Sequence, residues 1–184
     1  MAKSYDLLYL DSCVVIDLLA KTPSQIGHLE PILLEAEKEN IQFVVSVLCL
    51  AEVYTLADMP FSEAYSLIRD FFAQEYVNVY NVDEKIALQA AELRKKSKLE
   101  TADALHLATA LRHHAQAFLT RDGEGKKGKK RRKETILELR DELADRIDIL
   151  TPKEFFESLS SDARQTTMPD EIADESEAET NESE

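Results

Sequence analysis

Short apolar runs alternate along this chain with longer amphipathic stretches. Five of the runs are compact and rich in β-branched or aromatic residues, which is typical of buried strands. The predicted strands cover residues 7–10, 43–45, 77–82, 117–120 and 147–150. Between them, apolar residues recur at helical spacing opposite charged ones. The predicted helices cover residues 24–40, 47–57, 62–75, 84–98, 102–115 and 134–145, with a short last helix that begins at Pro152.

The order of these elements predicts the fold class. Strands that alternate with helices indicate βαβ units and therefore a parallel sheet. Strands that are apolar throughout indicate a sheet covered on both faces. We therefore predict a three-layer α/β/α sandwich with a five-stranded parallel sheet. Asp83 and Thr101 are the predicted N-caps of the helices that follow them.

Composition supports one globular domain, because 44% of the 184 residues are hydrophobic and 32% are charged. The only two cysteines, Cys13 and Cys49, each lie in an apolar run, as reduced thiols do. No run is long enough to span a bilayer, and residues 1–6 do not resemble a secretory signal. These features predict a cytoplasmic protein with no membrane partner.

Charge is unevenly distributed along the chain. The net charge is −14, of which residues 160–184 carry −8. This end has no periodicity and no aromatic residue, so we predict a domain over residues 1–159 and a disordered acidic tail over residues 160–184. Within the domain, residues 123–133 form a predicted basic loop. Its cationic side chains are Lys126, Lys127, Lys129, Lys130, Arg131, Arg132 and Lys133.

Four acidic residues occupy positions where an open parallel sheet binds its ligands, beyond the carboxyl ends of the strands. Asp11 follows the first predicted strand and Asp122 follows the fourth. Glu52 and Asp103 lie on helices that begin near the same edge. Taken singly, each acid has an ordinary explanation, such as a favourable helix N-terminus for Asp103 or turn chemistry for Asp122.

Together, the four acids indicate a metal site. Crowded carboxylates repel one another and raise one another's pKa, and a bound divalent cation neutralises this repulsion. Carboxylate oxygens suit Mg²⁺ or Mn²⁺, either of which can activate water against a phosphodiester. The sequence has no glycine-rich phosphate loop, no G-x-S-x-G motif and no Cys–His pair at a recognisable spacing.

The residues around these acids resemble the motifs of PIN domains. The run from Asp11 to Leu19 resembles the first motif, and the run from Ser46 to Glu52 resembles the second. The sequence Asp-Ala-Leu-His-Leu-Ala-Thr-Ala-Leu from Asp103 is the most specific match. Leu-Thr-Arg-Asp, which ends at Asp122, resembles the fourth motif, and the segment from Thr151 resembles the usual final helix. The similarity covers about residues 5–159.

This resemblance implies a Mg²⁺- or Mn²⁺-dependent ribonuclease that acts on single-stranded RNA. The most similar group is that of small VapC-type toxins, which a partner antitoxin neutralises and which commonly form homodimers. Asp11, Glu52, Asp103 and Asp122 carry over as catalytic and metal-site acids, with Ser12 and Thr120 as polar neighbours. Two features depart from the pattern: Cys13 replaces the common Asn or Ser, and the basic connection is unusually long.

Several other residues have two interpretations. Glu100 is one turn from Asp103 and could serve a second metal. Asp17 is expected to be a solvated helix residue rather than a contact of the site. His106 is expected to be a packed core residue rather than a metal ligand. The basic loop follows Asp122 directly, so RNA contact and a merely solvated surface are equally favoured.

Three functions are compatible with the sequence. The first is an RNA-cleaving toxin with an antitoxin. The second is a catalytically silent PIN-like scaffold that binds RNA or protein, against which the presence of all four acids argues. The third is a phospho-aspartate phosphatase, which requires a second Asp at the position that Cys13 occupies.

Overall fold

The structure is a computed structural model that describes residues 5–54, 56, 59–124 and 134–166, with side chains described as far as residue 159. The seven cationic residues of the predicted basic loop lie outside the described residues, as do residues 167–184 of the predicted tail.

Five parallel strands form a single sheet, as predicted. Their order is β3-β2-β1-β4-β5, so β1 lies in the centre. In β1, Tyr9 pairs with Val44 on one side and with Phe118 on the other. The strands are β1 Leu7–Leu10, β2 Gln42–Ser46, β3 Val77–Tyr80, β4 Ala117–Leu119 and β5 Asp148–Leu150.

Seven α-helices and one short 3₁₀ helix, at Ile136–Leu139, are described. The α-helices are α1 Ser12–Leu19, α2 Ile26–Glu37, α3 Val47–Glu52, α4 Phe61–Phe72, α5 Glu84–Lys96, α6 Thr101–Arg112 and α7 Pro152–Thr166. Asp83 caps α5 as predicted, because its carboxylate accepts a hydrogen bond from the Ile86 N–H.

Several details differ from the sequence-based expectation. The helix predicted at residues 47–57 ends at Glu52, and the strand predicted at residues 77–82 ends at Tyr80. Residues 134–145 form the 3₁₀ helix and turns rather than a helix, because the segment must bury Ile136 and Leu143 and then return within a few residues to β5. Thr101 is the first residue of α6, and Glu100 is its N-cap. Helix α7 continues to Thr166, seven residues beyond the predicted end of the domain.

Two hydrophobic cores lie on the two faces of the sheet, which gives the predicted three layers. Leu8 and Leu10 point into a core shared with α1, α2, α4 and α7. Tyr9 points into the opposite core, which α5 and α6 cover. This alternation follows from the two-residue period of a strand. Among the described residues, no helix has the length and apolarity that crossing a bilayer requires.

Candidate functional site

Asp11 lies at the carboxyl end of the central strand and is the N-cap of α1. Its backbone N–H donates to the Leu119 carbonyl at 3.0 Å, which joins the ends of β1 and β4. One carboxylate oxygen accepts from the Ser12 N–H at 2.8 Å, and the other accepts from the Thr120 hydroxyl at 2.6 Å. Asp11 is only 8% exposed, so this carboxylate is held in one orientation at the edge of the sheet.

Glu52 is the last residue of α3, and its carboxylate is turned towards Ser12 and His106. The Ser12 hydroxyl donates to Glu52, and the Nε2 atom of His106 lies 2.7 Å from the same carboxylate oxygen. Hydrogen bonding by His106 holds the pKa of Glu52 below its ordinary value, against the opposing effect of burial. Glu52 is therefore an anion near neutral pH.

His106 is buried as expected, but it also contacts the site, which the sequence did not indicate. Its Nδ1 atom lies 2.6 Å from the Tyr9 hydroxyl, and the residue is 1% exposed. With Nε2 donating to Glu52, a neutral ring accepts from Tyr9 at Nδ1. Burial lowers the pKa of His106, but Glu52 and the charges of Asp11 and Asp103 outweigh burial, and the pKa is raised.

Asp103 lies in the first turn of α6 and has a raised pKa. Burial and the negative charges of Asp122, Asp11 and Glu100 raise its pKa to about 6. These charges act because the helix start and the ends of β1 and β4 meet at one edge. The structure thus brings together three of the four predicted acids, with Glu100 beside them, and Glu52 reaches the group through Ser12 and His106.

Thr120 connects two of the acids. Its hydroxyl donates to Asp11 and accepts from the backbone N–H of Asp122 at 3.0 Å. Gly123 then turns the chain with a φ of +105°, and a side chain there would bring a Cβ within 2.5 Å of the Thr135 hydroxyl oxygen. Glycine is therefore required immediately after Asp122.

Cys13, the residue that departs from the family pattern, lies against the same edge. Its sulfur is 3.4 Å from an Asp11 carboxylate oxygen and accepts from the Arg121 N–H at 3.3 Å. Burial and the charge of Asp11 raise the pKa of this thiol well above its ordinary range. Burial also raises the pKa of Cys49, to about 12. Both thiols are therefore protonated near neutral pH, and neither is activated as a nucleophile.

Asp17 is not solvated, contrary to expectation. It is 3% exposed and accepts a hydrogen bond from Nε of Arg121, the residue before Asp122. A carboxylate is almost never buried without a partner, and Arg121 is that partner. The sequence does carry a signal for this burial, since Asp17 stands between apolar residues in a strongly apolar helix.

The donor set fits a hard divalent cation in its chemistry. The acids supply carboxylate oxygens, and the mutual repulsion that raises the pKa of Asp103 is what a cation relieves. Among the described residues, no three His, Cys, Asp or Glu side chains are placed so that they could bind one metal ion together. Glu52 is turned to Ser12 and His106 instead, so ion binding requires side-chain rotation. The assignment of the four acids as metal ligands stays a prediction.

A five-stranded parallel α/β/α sandwich with acids gathered at the carboxyl edge of its central strands defines the class of this protein. The chain belongs to the PIN domain family, whose pattern matches residues 8–130. That span includes Asp11, Glu52, Asp103 and Asp122, so the resemblance found in the sequence motifs is confirmed at the level of the family.

Solved structures of VapBC complexes share the fold. The VapBC2 structure from Rickettsia felis, bound to a DNA fragment from the promoter, is 14% identical with a TM-score of 0.54, covering 79% of this chain and 98% of that one. The DNA-bound VapBC structure from Salmonella typhimurium is 16% identical with a TM-score of 0.53, covering 80% and 98%. No curated protein sequence matches the chain.

Proposed function

We propose that this protein is a metal-dependent endoribonuclease that hydrolyses phosphodiester bonds of single-stranded RNA. One observation carries the proposal: Asp122, Asp11 and Glu100 crowd the edge of the sheet where Asp103 lies, and burial together with their charges raises the pKa of Asp103 to about 6. Such crowding of carboxylates is energetically unfavourable without a bound cation, and carboxyls with strongly shifted pKa values are concentrated at functional sites. Membership of the PIN domain family supports nuclease activity as the function of this site.

Asp11, Glu52, Asp103 and Asp122 would hold Mg²⁺ or Mn²⁺. Such an ion supplies Lewis-acid polarisation of the phosphate and lowers the pKa of the attacking water. The chain's own groups position the ligands: Ser12 and Thr120 orient Asp11, and His106 contacts Glu52 and lowers its pKa.

Water is the nucleophile that these residues favour, because both thiols are protonated and the Ser12 hydroxyl is engaged with Glu52. The water oxygen bonds to phosphorus while the bond from phosphorus to the 3′ oxygen breaks. The leaving 3′ oxygen takes up a proton, and water loses one. The products carry a 5′-phosphate and a 3′-hydroxyl.

A cleavage assay tests this proposal. Purified protein should cut single-stranded RNA with Mg²⁺ or Mn²⁺ and stop with EDTA. The double substitution Asp11→Asn with Asp103→Asn should reduce the rate more than about 100-fold, since it removes two site anions at nearly constant shape. Asp141→Asn with Asp145→Asn removes two exposed anions elsewhere and should leave the rate unchanged. Cleavage that survives EDTA or the site double variant contradicts the proposal.

The second candidate is a silent scaffold that binds RNA or protein. It predicts RNA binding that is insensitive to the Asp11 and Asp103 substitutions and no cleavage with any metal. The crowded acids favour the nuclease, because a binding scaffold does not need a group of carboxylates whose repulsion destabilises the fold.

We extend the proposal to partners. The fold is shared with proteins solved in VapBC complexes, which supports a toxin whose partner is a small antitoxin. Expression of this chain alone should slow growth of a bacterial host, and co-expression of the small gene adjacent to its own should restore growth. Harmless expression of a protein that cuts RNA in vitro contradicts the toxin role while leaving the nuclease intact.

Two further parts of the proposal concern association. The seven cationic side chains of the predicted basic loop would contact RNA phosphates, and replacement of Lys129, Lys130, Arg131 and Arg132 by Ser should weaken RNA binding and flatten its dependence on salt. The protein would form a homodimer, which light scattering coupled to gel filtration tests directly. A cytoplasmic location follows from this function.

A further inference from the structure

Arg121 and Asp17 form an ion pair beside the acidic edge of the sheet. The proposed reaction does not use this ion pair. Asp17 is 3% exposed, and its side chain accepts a hydrogen bond from Nε of Arg121. The Arg121 side chain is 30% exposed, so one end of the pair is buried and the other faces solvent.

The backbone of Arg121 is also fixed in place. Its N–H donates to the sulfur of Cys13 at 3.3 Å. Thr120, the preceding residue, hydrogen-bonds Asp11, and Asp122, the following residue, is one of the acids around Asp103. Arg121 is thus a cationic residue that follows β4 and lies in the chain between two residues of the site, Thr120 and Asp122.

The guanidinium retains unused donors. Nε serves Asp17, and Nη1 lies 3.9 Å from a Glu124 carboxylate oxygen, which is too long for a hydrogen bond. Among the described residues, none accepts a hydrogen bond from the four terminal N–H groups of Arg121. The planar guanidinium can therefore donate paired hydrogen bonds to the two non-bridging oxygens of a phosphodiester.

We infer that Arg121 binds a backbone phosphate of the RNA next to the metal site, and that Asp17 is the positioning residue that orients it. An unrestrained arginine beside several carboxylates would fold onto them and compete with the metal ion. The hydrogen bond from Nε to buried Asp17 holds the guanidinium away from the metal-site acids and leaves its terminal donors free for substrate. This inference rests on the proposed function.

The alternative is that Arg121 only neutralises buried Asp17. Single loss of Arg121 cannot separate the two, since it leaves a buried charge unpaired and threatens the fold. The double variant Asp17→Asn with Arg121→Gln removes both charges together and leaves two amides that can hydrogen-bond each other. Circular dichroism melts should show that it folds.

The experiment compares the wild type, this double variant, Asp17→Asn alone and Arg112→Gln, using a fluorescent single-stranded RNA of mixed sequence. Arg112 is exposed at the end of α6 opposite to Asp103 and is a control for loss of one positive charge. KM and kcat are measured with Mg²⁺ at several salt concentrations, and binding is measured by fluorescence anisotropy in EDTA.

Phosphate binding by Arg121 predicts that the double variant raises KM about tenfold. It also predicts that the slope of log Kd against log salt falls by about 0.7, the value for one phosphate contact on a single strand. Asp17→Asn alone should raise KM less, because the cation remains but is no longer oriented. Arg112→Gln should change neither quantity.

The outcomes separate this inference from the proposed function. A wild type that cuts RNA, with a double variant of unchanged KM and salt slope, overturns the role of Arg121 alone. A wild type that binds RNA without cutting, with binding weakened in the double variant, overturns the nuclease and retains the phosphate contact. A wild type that neither cuts nor binds RNA overturns both.

Discussion

The Nε2 atom of His106 lies 2.7 Å from a carboxylate oxygen of Glu52, so a residue of the buried face of α6 lowers the pKa of an acid on α3. The other ring nitrogen contacts Tyr9, which is completely buried in the central strand. This chain of contacts ties the site to the core beneath it.

Removal of the Tyr9 hydroxyl tests that connection. Tyr9→Phe should reduce the free energy of unfolding by about 1–2 kcal/mol, because Nδ1 of His106 loses its partner in a buried position. It should also slow RNA cleavage about tenfold, as loss of an outer contact to a ligand does. Tyr5→Phe removes a part-buried hydroxyl that donates to Asp148 at 3.0 Å and should affect stability only. Equal cleavage by the two variants would show that Glu52 does not depend on Tyr9.

The raised pKa of Asp103 predicts how the stability of the metal-free protein depends on pH. The folded state holds this proton up to about pH 6, whereas an unperturbed Asp releases it near 3.8. The folded state therefore binds more protons in that window, and the free energy of unfolding falls as pH rises through it. Asp103→Asn should remove this loss.

At pH 7.5 in EDTA, the Asp103→Asn variant should be more stable than the wild type by about 1 kcal/mol, after allowance for solvent screening. That difference corresponds to a Tm increase of about 2–4 °C. Asp141→Asn is the control for loss of an exposed charge. An Asp103→Asn variant that melts below the wild type at pH 7.5 would mean that its carboxylate is stabilising there.

Metal ions should reverse this effect. Mg²⁺ at ten times its dissociation constant should stabilise the wild type by about 1.4 kcal/mol, since only the folded state assembles the acids. The double substitution Asp11→Asn with Asp103→Asn should abolish that gain in a thermal melt. If both proteins respond equally to Mg²⁺, the ion binds elsewhere on the chain.

Two glycines offer a matched test of the turn after Asp122. Gly123→Ala should destabilise the protein by about 1–3 kcal/mol and slow cleavage, because its φ is positive and the added Cβ meets Thr135. Gly27 lies in α2 with open space around it, so Gly27→Ala should add about 0.5–1 kcal/mol and leave cleavage unchanged. A Gly123→Ala variant as active and stable as the wild type would exclude strain at this turn.

The sheet and its acidic edge could be predicted because both depend on local pattern and simple topology. Short parallel strands covered on both faces are apolar throughout, and the paired carboxyl ends of β1 and β4 bring Asp11 and Asp122 to the same edge of the sheet. The 3₁₀ helix at Ile136–Leu139 could not be predicted, since tertiary packing overrides the helical spacing there.

The contacts of His106 and Asp17 were equally hidden from the sequence. Each is a polar residue within an apolar helix, which signals burial, but its partner lies on another element: Glu52 for His106 and Arg121 for Asp17. Such pairings depend on how helices cross the sheet, and no local pattern records them.

Strand β1 lies at the centre of the sheet, between β2 and β4. The acids of the site come from segments between residue 11 and residue 122, and Asp11 is oriented by a threonine that follows β4. A ribosome must therefore add every residue from Asp11 to Asp122 before the last of these groups exists. Asp11 is synthesised before the other three acids, yet the site is completed only after β4 has paired with β1. Synthesis itself thus delays the appearance of any activity that depends on this edge.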